Sequence, residues 1–384
     1  MVVRVAIKPV LLEWAIKRSG RSMPEIEHKF PKVQQWLAES YQPSLKQLED
    51  FAAFTYTPFG YFFLQAPPKE MLPIPLYRTL DSYQEPNEAS VNLMDTIQTM
   101  QSRQSWLRDY LIERGADPLS FVQSANIHDN VAEVARHIRK TLKLTTDWAA
   151  EHTTWTDALN FLRETIEDIG ILVVVNGIVG NNTHRKLDPQ EFRGFVLVDE
   201  YSPLLFINGA DGKAAQMFTL AHELAHVFFG YSAAFDLRGS LPSADLIEVK
   251  CDQVAAEFLV PAYEFKVAWD QAEKTDNIFQ HMARKFKVSE IVIARRSLDL
   301  AFIDKPAFFS FYERYQAEER KTKAAQSGGG NFFANQKFRI GKRFAESVIL
   351  ATKEGSLLYS EAYQLTGLRG KTFDEFANSI GYEV

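Results

Sequence analysis

The sequence predicts an α+β protein of more than one domain, and three observations lead there. Residues 1–67 carry four short amphipathic helical patterns. Residues 171–209 hold three apolar runs of strand length. Just beyond them, residues 218–230 read FTLAHELAHVFFG, a helix apolar nearly all round and therefore buried. At 384 residues the chain exceeds one compact core. Hydrophobic residues at 46% and charged residues at 24% are ordinary globular proportions. A net charge of −6 gives no global attraction to nucleic acid or an anionic membrane, and leaves local basic faces open. The single cysteine excludes an internal disulfide framework and fits a reducing compartment. The N-terminal stretch lacks an apolar signal core, and no apolar run is long enough to span a bilayer. The expectation is a soluble, cytoplasmic protein with no membrane partner.

In residues 9–18, Leu11, Leu12, Trp14 and Ala15 form a helical stripe that ends at Ser19 and Gly20. Ser22 is placed to cap the next helix, with Pro24 early in it and Glu25 three residues after the cap. A third helix is expected over residues 32–39, centred on Trp36. Pro43 and Ser44 open a fourth, with Leu45, Leu48, Phe51 and Ala52 on one side. Four short helices around a tryptophan are the layout of a helix-turn-helix domain. The run WLAESYQPSLKQLEDFA resembles the XRE/Cro-type helix-turn-helix. That resemblance implies operator DNA as a partner and puts Lys32, Gln34 and Gln35 on the face that approaches it. Residues 1–67 hold eight Lys/Arg against six Asp/Glu, a net +2.

Residues 68–160 are expected as a helical connector, entered through PFGYFF and a proline-rich extended stretch. Ala158, Phe161, Leu162, Thr165, Ile166 and Ile169 make an amphipathic helix stopped at Gly170, and ILVVV (171–175) follows as a buried strand. GFVLVDE (194–200) and PLLFING (203–209) read as an antiparallel pair turning at Tyr201 and Ser202. The expectation is a small antiparallel sheet feeding into the buried helix, with an edge able to hold an extended chain by strand addition.

In that helix His222 and His226 are four residues apart, one turn, on one face. Two imidazoles so placed can supply two nitrogen ligands to one tetrahedral zinc ion. Glu223 lies about 100° further round, beside the ion, where a carboxylate can take a proton from water. This is the H-E-x-x-H arrangement of zinc peptidases. A third ligand is needed, and the buried helix of DLIEVKCDQVAAEFLVP (245–261) offers Glu248, Asp252 and Glu257. Two histidines and a carboxylate also accommodate manganese or iron.

The FTLAHELAH helix, followed by a helix of pattern E-x-x-A-N-x-F-A-x-x-L-L-x-P, resembles the ImmA/IrrE metallopeptidase family. By that resemblance the central domain, residues 161–312, is zincin-like, its cofactor is zinc, and Glu248 is the third ligand. The pattern's Asn and Ala positions hold Asp252 and Cys251 here. Asp252, one turn beyond Glu248, is placed to orient a ligand histidine from behind, and Cys251 reads as a small core residue. Tyr231 and His184 are the candidate donors to an oxyanion.

FKVSEIVIARRSLDLAFI (286–303) resembles the helix pair that follows the catalytic region in these proteins. Residues 313–330 read as a charged helix and a flexible SGGG joint. Residues 331–384 read as a small helical module resembling the C-terminal extension of long XRE–ImmA/IrrE fusions. Together the resemblances imply a zinc endopeptidase with a DNA-binding domain. It would regulate transcription by cutting an XRE-type repressor or an operon partner such as a toxin. The competing expectation is a non-proteolytic antitoxin or repressor of a toxin–antitoxin or mobile-element operon, acting by binding alone.

Overall fold

The computed structural model describes residues 3–70, 76–77, 89–235, 246–322 apart from 274 and 276, and 332–382. Two compact units emerge: Met1–Pro73 with Gln84–Ile97, and Ile74–Tyr83 with Gln98–Val384.

The first unit begins with helices α1 (Pro9–Ser19), α2 (Met23–Lys29), α3 (Val33–Leu37) and α4 (Leu45–Phe54). Gly20 ends α1 in the left-handed region, at φ 66°. Reciprocal capping holds the start of α4, where the Gln47 N–H donates to Ser44 Oγ at 3.2 Å and the Ser44 N–H to Gln47 Oε1 at 2.9 Å. Leu12, Ile26, Val33, Trp36, Leu48 and Phe51 close a small apolar core. The third helix is shorter than the expected 32–39. It gives out at Leu37, and Glu39 takes a left-handed φ of 55°, which a continuing helix cannot contain.

The second unit is built on a five-stranded sheet. In chain order its elements start with β1 (Leu76–Tyr77), α5 (Val91–Glu113, shared with the first unit), α6 (Val131–Thr141), α7 (Trp155–Asp168) and β2 (Leu172–Asn176). A separate hairpin, β3 (Ile178–Val179) and β4 (Asn182–Lys186), precedes β5 (Gly194–Leu197), β6 (Leu204–Asn208), α8 (Lys213–Phe229) and β7 (Ala233–Phe235). Strand order is β1-β7-β5-β6-β2. β5 pairs antiparallel with β6 and β7, as the expected pair requires, but β2 runs parallel to β6 and β1 parallel to β7. The sheet is therefore mixed, not antiparallel. The chain leaves β2 through the separate hairpin and β5, so its neighbour is β6 running the same way. Its unbroken apolar run matches burial on both faces. The β5–β6 link is also longer than a tight turn. Asp199 accepts from the Tyr201 and Ser202 N–H groups at 2.8 and 2.9 Å, an aspartate-built turn that ends both strands early.

Beyond the sheet come α9 (Leu246–Leu259), α10 (Ala262–Gln271), α11 (Ile278–Phe286), α12 (Glu290–Asp299) and α13 (Lys305–Thr322). The main core joins Val173, Val196 and Leu205 of the sheet to Leu220 and Phe228 of α8 and Val254 and Phe258 of α9. Val134 and Ile138 of α6 enter the same core, so that part of residues 68–160 is core and not connector. The SGGG joint lies outside the described residues. Among the described residues no helix is long and apolar enough to cross a membrane.

The last helices are α14 (Phe332–Ile340), α15 (Lys342–Lys353), α16 (Tyr359–Thr366) and α17 (Lys371–Ser379). Set out above as a small module, residues 331–384 belong to the same compact unit as the sheet. α14 packs on β2, and Gly341, at φ 85°, passes so near that a Cβ would stand 2.4 Å from Leu172 Cδ1. Only glycine meets both demands. Beside it a buried polar group forms. Glu167 Oε1 accepts from the Lys342 N–H at 2.9 Å, and Arg163, 3.6 Å from the other oxygen, lies over the Phe338 ring. Gln336 Nε2 donates to Asn181 Oδ1 at 3.0 Å.

Burial, against the opposing pull of Arg163, pushes the Glu167 carboxyl from 4.5 up to about 7. Folding therefore favours its neutral form, a contribution complete below about pH 4.5 and lost as pH rises through 7. Glu167→Gln keeps the neutral form at every pH. We expect it to gain stability at pH 8 relative to pH 5 by about 2 kcal/mol against wild type, read from urea midpoints. An equal shift at both pH values contradicts this account.

Candidate metal centre

Helix α8 starts after Gly212 and ends where Gly230, at φ 82°, returns its N–H to the His226 carbonyl at 2.8 Å. Its length is buried between sheet and α9, and His222, Glu223 and His226 are wholly inaccessible to solvent. The first turn of α9 sets Glu248, 3% exposed, against them. The two histidine Nε2 atoms stand 3.1 Å apart. Glu248 Oε2 is 3.2 Å from His222 Nε2, and Oε1 is 3.1 Å from His226 Nε2 without hydrogen-bond geometry. Ligands at ordinary zinc–nitrogen and zinc–oxygen distances stand about 3.3 Å apart along a tetrahedral edge. One donor atom from each of His222, His226 and Glu248 lies within 4.8 Å of the other two, a group able to hold a single ion.

Asp252 backs this triangle. Its Oδ1 lies 2.9 Å from His222 Nδ1, which turns the Nε2 of that ring toward Glu248. Burial alone lowers the basicity of His222, but the carboxylates of Asp252 and Glu248 outweigh it and raise the ring to about 10. Burial likewise lowers His226. For Glu248 burial opposes ionisation, yet the hydrogen bond to His222 and the nearness of His226 hold its carboxyl down at about 2. A cation and an anion thus stabilise each other where neither would stand alone. A metal ion held by these residues would take the place of the His222 proton.

Glu223 is different. Among the described residues neither of its buried oxygens has a hydrogen-bond partner, and burial raises its pKa well above the ordinary carboxylate value. Gly194, the first residue of β5, passes directly over it. A Cβ at that position would come within 3.0 Å of Glu223 Oε1 and 2.6 Å of Thr219 Cγ2. Sequence reasoning took Gly194 only as the opening of a strand, and no local signal distinguishes it.

Of the remaining candidates, Glu257 pairs with Arg296 and accepts from the Ala262 N–H at 3.2 Å, so it is engaged elsewhere. Cys251 is fully buried in the apolar core. Tyr231 is 48% exposed just past the end of α8, its N–H on the His226 carbonyl at 3.1 Å. His184 is exposed on β4, in the separate hairpin. In the first unit, Lys32, Gln34 and Gln35 are exposed while Val33 and Trp36 face the core. Lys32 lies 4.2 Å over the Tyr41 ring, and Gln34 donates to Glu27 at 2.7 Å.

Residues 166–298 match the family model Peptidase_M78, described as an IrrE N-terminal-like domain. This stretch is similar to a metallopeptidase family. The match runs from the end of α7 through α12 and contains the whole His222, Glu223, His226, Glu248 and Asp252 group. Residues 340–379 match a domain of unknown function, DUF8813. No curated protein matches the chain.

If Asp252 orients His222, Asp252→Ala weakens zinc affinity by roughly 10- to 100-fold in competition with a chelator. Unchanged affinity would show that His222 is held by packing alone.

Proposed function

We propose that the chain is a zinc-dependent endopeptidase in which His222, His226 and Glu248 hold the metal and Glu223 is the general base. The observation that carries this is the buried group of His222, His226 and Glu248, whose donor atoms lie within 4.8 Å of one another, beside a buried carboxylate that has no hydrogen-bond partner among the described residues. Zinc held there would supply Lewis-acid activation of water and of the scissile carbonyl. Glu223, whose burial raises its affinity for protons, takes one from the attacking water and returns it to the departing amine. Gly194 confines that carboxylate from above. Asp252 fixes His222. Tyr231 offers a phenol to the oxyanion from the end of α8, and His184 is the alternative donor.

The protein substrate we propose is an XRE-type repressor or an operon partner such as a toxin, cut to release transcription. The N-terminal helices would hold operator DNA through Lys32, Gln34 and Gln35, which share one short exposed helix start.

Purified wild type should carry about one zinc per chain, and His222→Ala and Glu248→Ala should lose it. Glu223→Gln should keep the metal and lose at least about a hundredfold in cleavage of a co-expressed operon partner. Zinc-loaded wild type that leaves every operon-encoded protein intact would count against the endopeptidase. For the first unit, Lys32→Ala should lower the salt slope of operator binding by about one. No operator shift at low salt would remove the DNA-binding role.

A further inference from the structure

Threonines inside the helices of this protein share a habit. Thr96, Thr141, Thr165, Thr352 and Thr366 each donate the hydroxyl proton to the carbonyl four residues back, at 2.6 to 2.9 Å. Thr219, inside α8, does not. It is wholly buried, and among the described residues its Oγ1 has no hydrogen-bond partner. A hydroxyl taken out of water and left unmet is destabilising. The Ala215 carbonyl, one turn back, is the acceptor this side chain forgoes.

The surroundings give that hydroxyl a use. Helix α8 carries Thr219, His222, Glu223 and His226 at i, i+3, i+4 and i+7, a single stripe. Gly194 of β5 crosses the stripe, where a Cβ would stand 2.6 Å from Thr219 Cγ2 and 3.0 Å from Glu223 Oε1. The threonine methyl and the Glu223 carboxyl therefore face the same point of the strand. Neither oxygen of Glu223 has a hydrogen-bond partner among the described residues. An unmet hydroxyl, which can donate, thus lies one helical turn from an unmet carboxyl, which when ionised can only accept. Residues four apart on a helix have Cβ atoms about 5–6 Å from each other, within reach of the rotatable bonds of a glutamate.

We propose that Thr219 is a positioning residue for Glu223, its hydroxyl donating to one oxygen of the ionised carboxylate and leaving the other to face the metal. Held this way, the base has one oxygen anchored and one free for the proton of the attacking water, in place of two that can turn away. When Glu223 carries that proton, the threonine oxygen can accept as well as donate, so the pair survives the transfer. The hydroxyl left unmet in the resting fold is a donor kept at hand for the moment the charge appears. That Glu223 acts as a base rests on the endopeptidase reading; its pairing with Thr219 does not.

The test is a double-mutant cycle on the full chain, loaded with zinc and probed with acetohydroxamate, whose acidic proton needs an acceptor beside the metal. Thr219→Val should keep the zinc content of wild type and a urea midpoint no lower, because a methyl of nearly the same shape replaces an unmet hydroxyl. It should bind acetohydroxamate about tenfold more weakly, the loss of one hydrogen bond to a charged group. Thr219→Ser, which keeps the hydroxyl, should bind as wild type does. In a Glu223→Ala background the valine substitution should change nothing further, since the group it acts through is gone. Equal affinity in wild type and Thr219→Val overturns the assignment, and so does the same loss in both backgrounds. A lower urea midpoint for Thr219→Val overturns it too, for the hydroxyl would then be bonded in the resting fold. Coupling between the two positions in a protein that cuts none of its operon partners leaves the pair standing and removes the endopeptidase. Cleavage that runs as fast in Thr219→Val as in wild type does the reverse.

Discussion

Burying three ionisable side chains of one helix in an apolar core is the constraint on which the second unit depends. His222, Glu223 and His226 have no solvent, and an uncompensated charge there would cost more than most proteins have to spend. Their neighbours answer this. α9 meets α8 at the turn that carries Glu248, and four residues on, Asp252 reaches the far nitrogen of His222. Helix α8 must be apolar elsewhere to hold its place between sheet and α9, and the core residues on both its sides are what bring the donors together. Packing positions the chemistry, and the charges in turn fix how the two helices register.

Much of this can be read from residues alone. The four-residue histidine spacing, the glycine stop at 230 and the caps at Ser22 and Ser44 are local devices, and local sequence encodes them. Among the three carboxylates on α9 helix geometry sets Glu257 apart from the other two, while Glu248 over Asp252 rests on the family resemblance. Asp252 is four residues from Glu248 and shares its face, whereas Glu257 is nine residues away, about 180° round. There Arg296 takes it.

What was not legible depends on distant partners. ILVVV announces a buried strand, but nothing in five apolar residues gives its direction or its neighbour, so the parallel β2–β6 pairing appears only when the sheet is assembled. Glu39 turns left-handed and shortens the third helix without a glycine to signal it. Gly194 reads like any strand residue until Glu223 is seen beneath it. Glu167 looks like one more acid on an amphipathic helix, and only the arrival of Lys342 and Phe338 makes it a buried group.

The close approach of Gly341 to Leu172 has a consequence for how such a chain can change over generations. Residues 340–379 match a domain in their own right, which invites the picture of a cassette that recombination could exchange. In this fold the helix just before them, α14, packs on β2, while from within the matched stretch Gly341 passes against Leu172 and the Lys342 N–H donates to Glu167. A gene rearrangement that swapped them would have to keep a glycine at the Leu172 approach and a backbone N–H for the buried Glu167 carboxyl. At these two points the substitutions open to the tail depend on Leu172 and Glu167 of the metal-site domain, and the reverse holds as well.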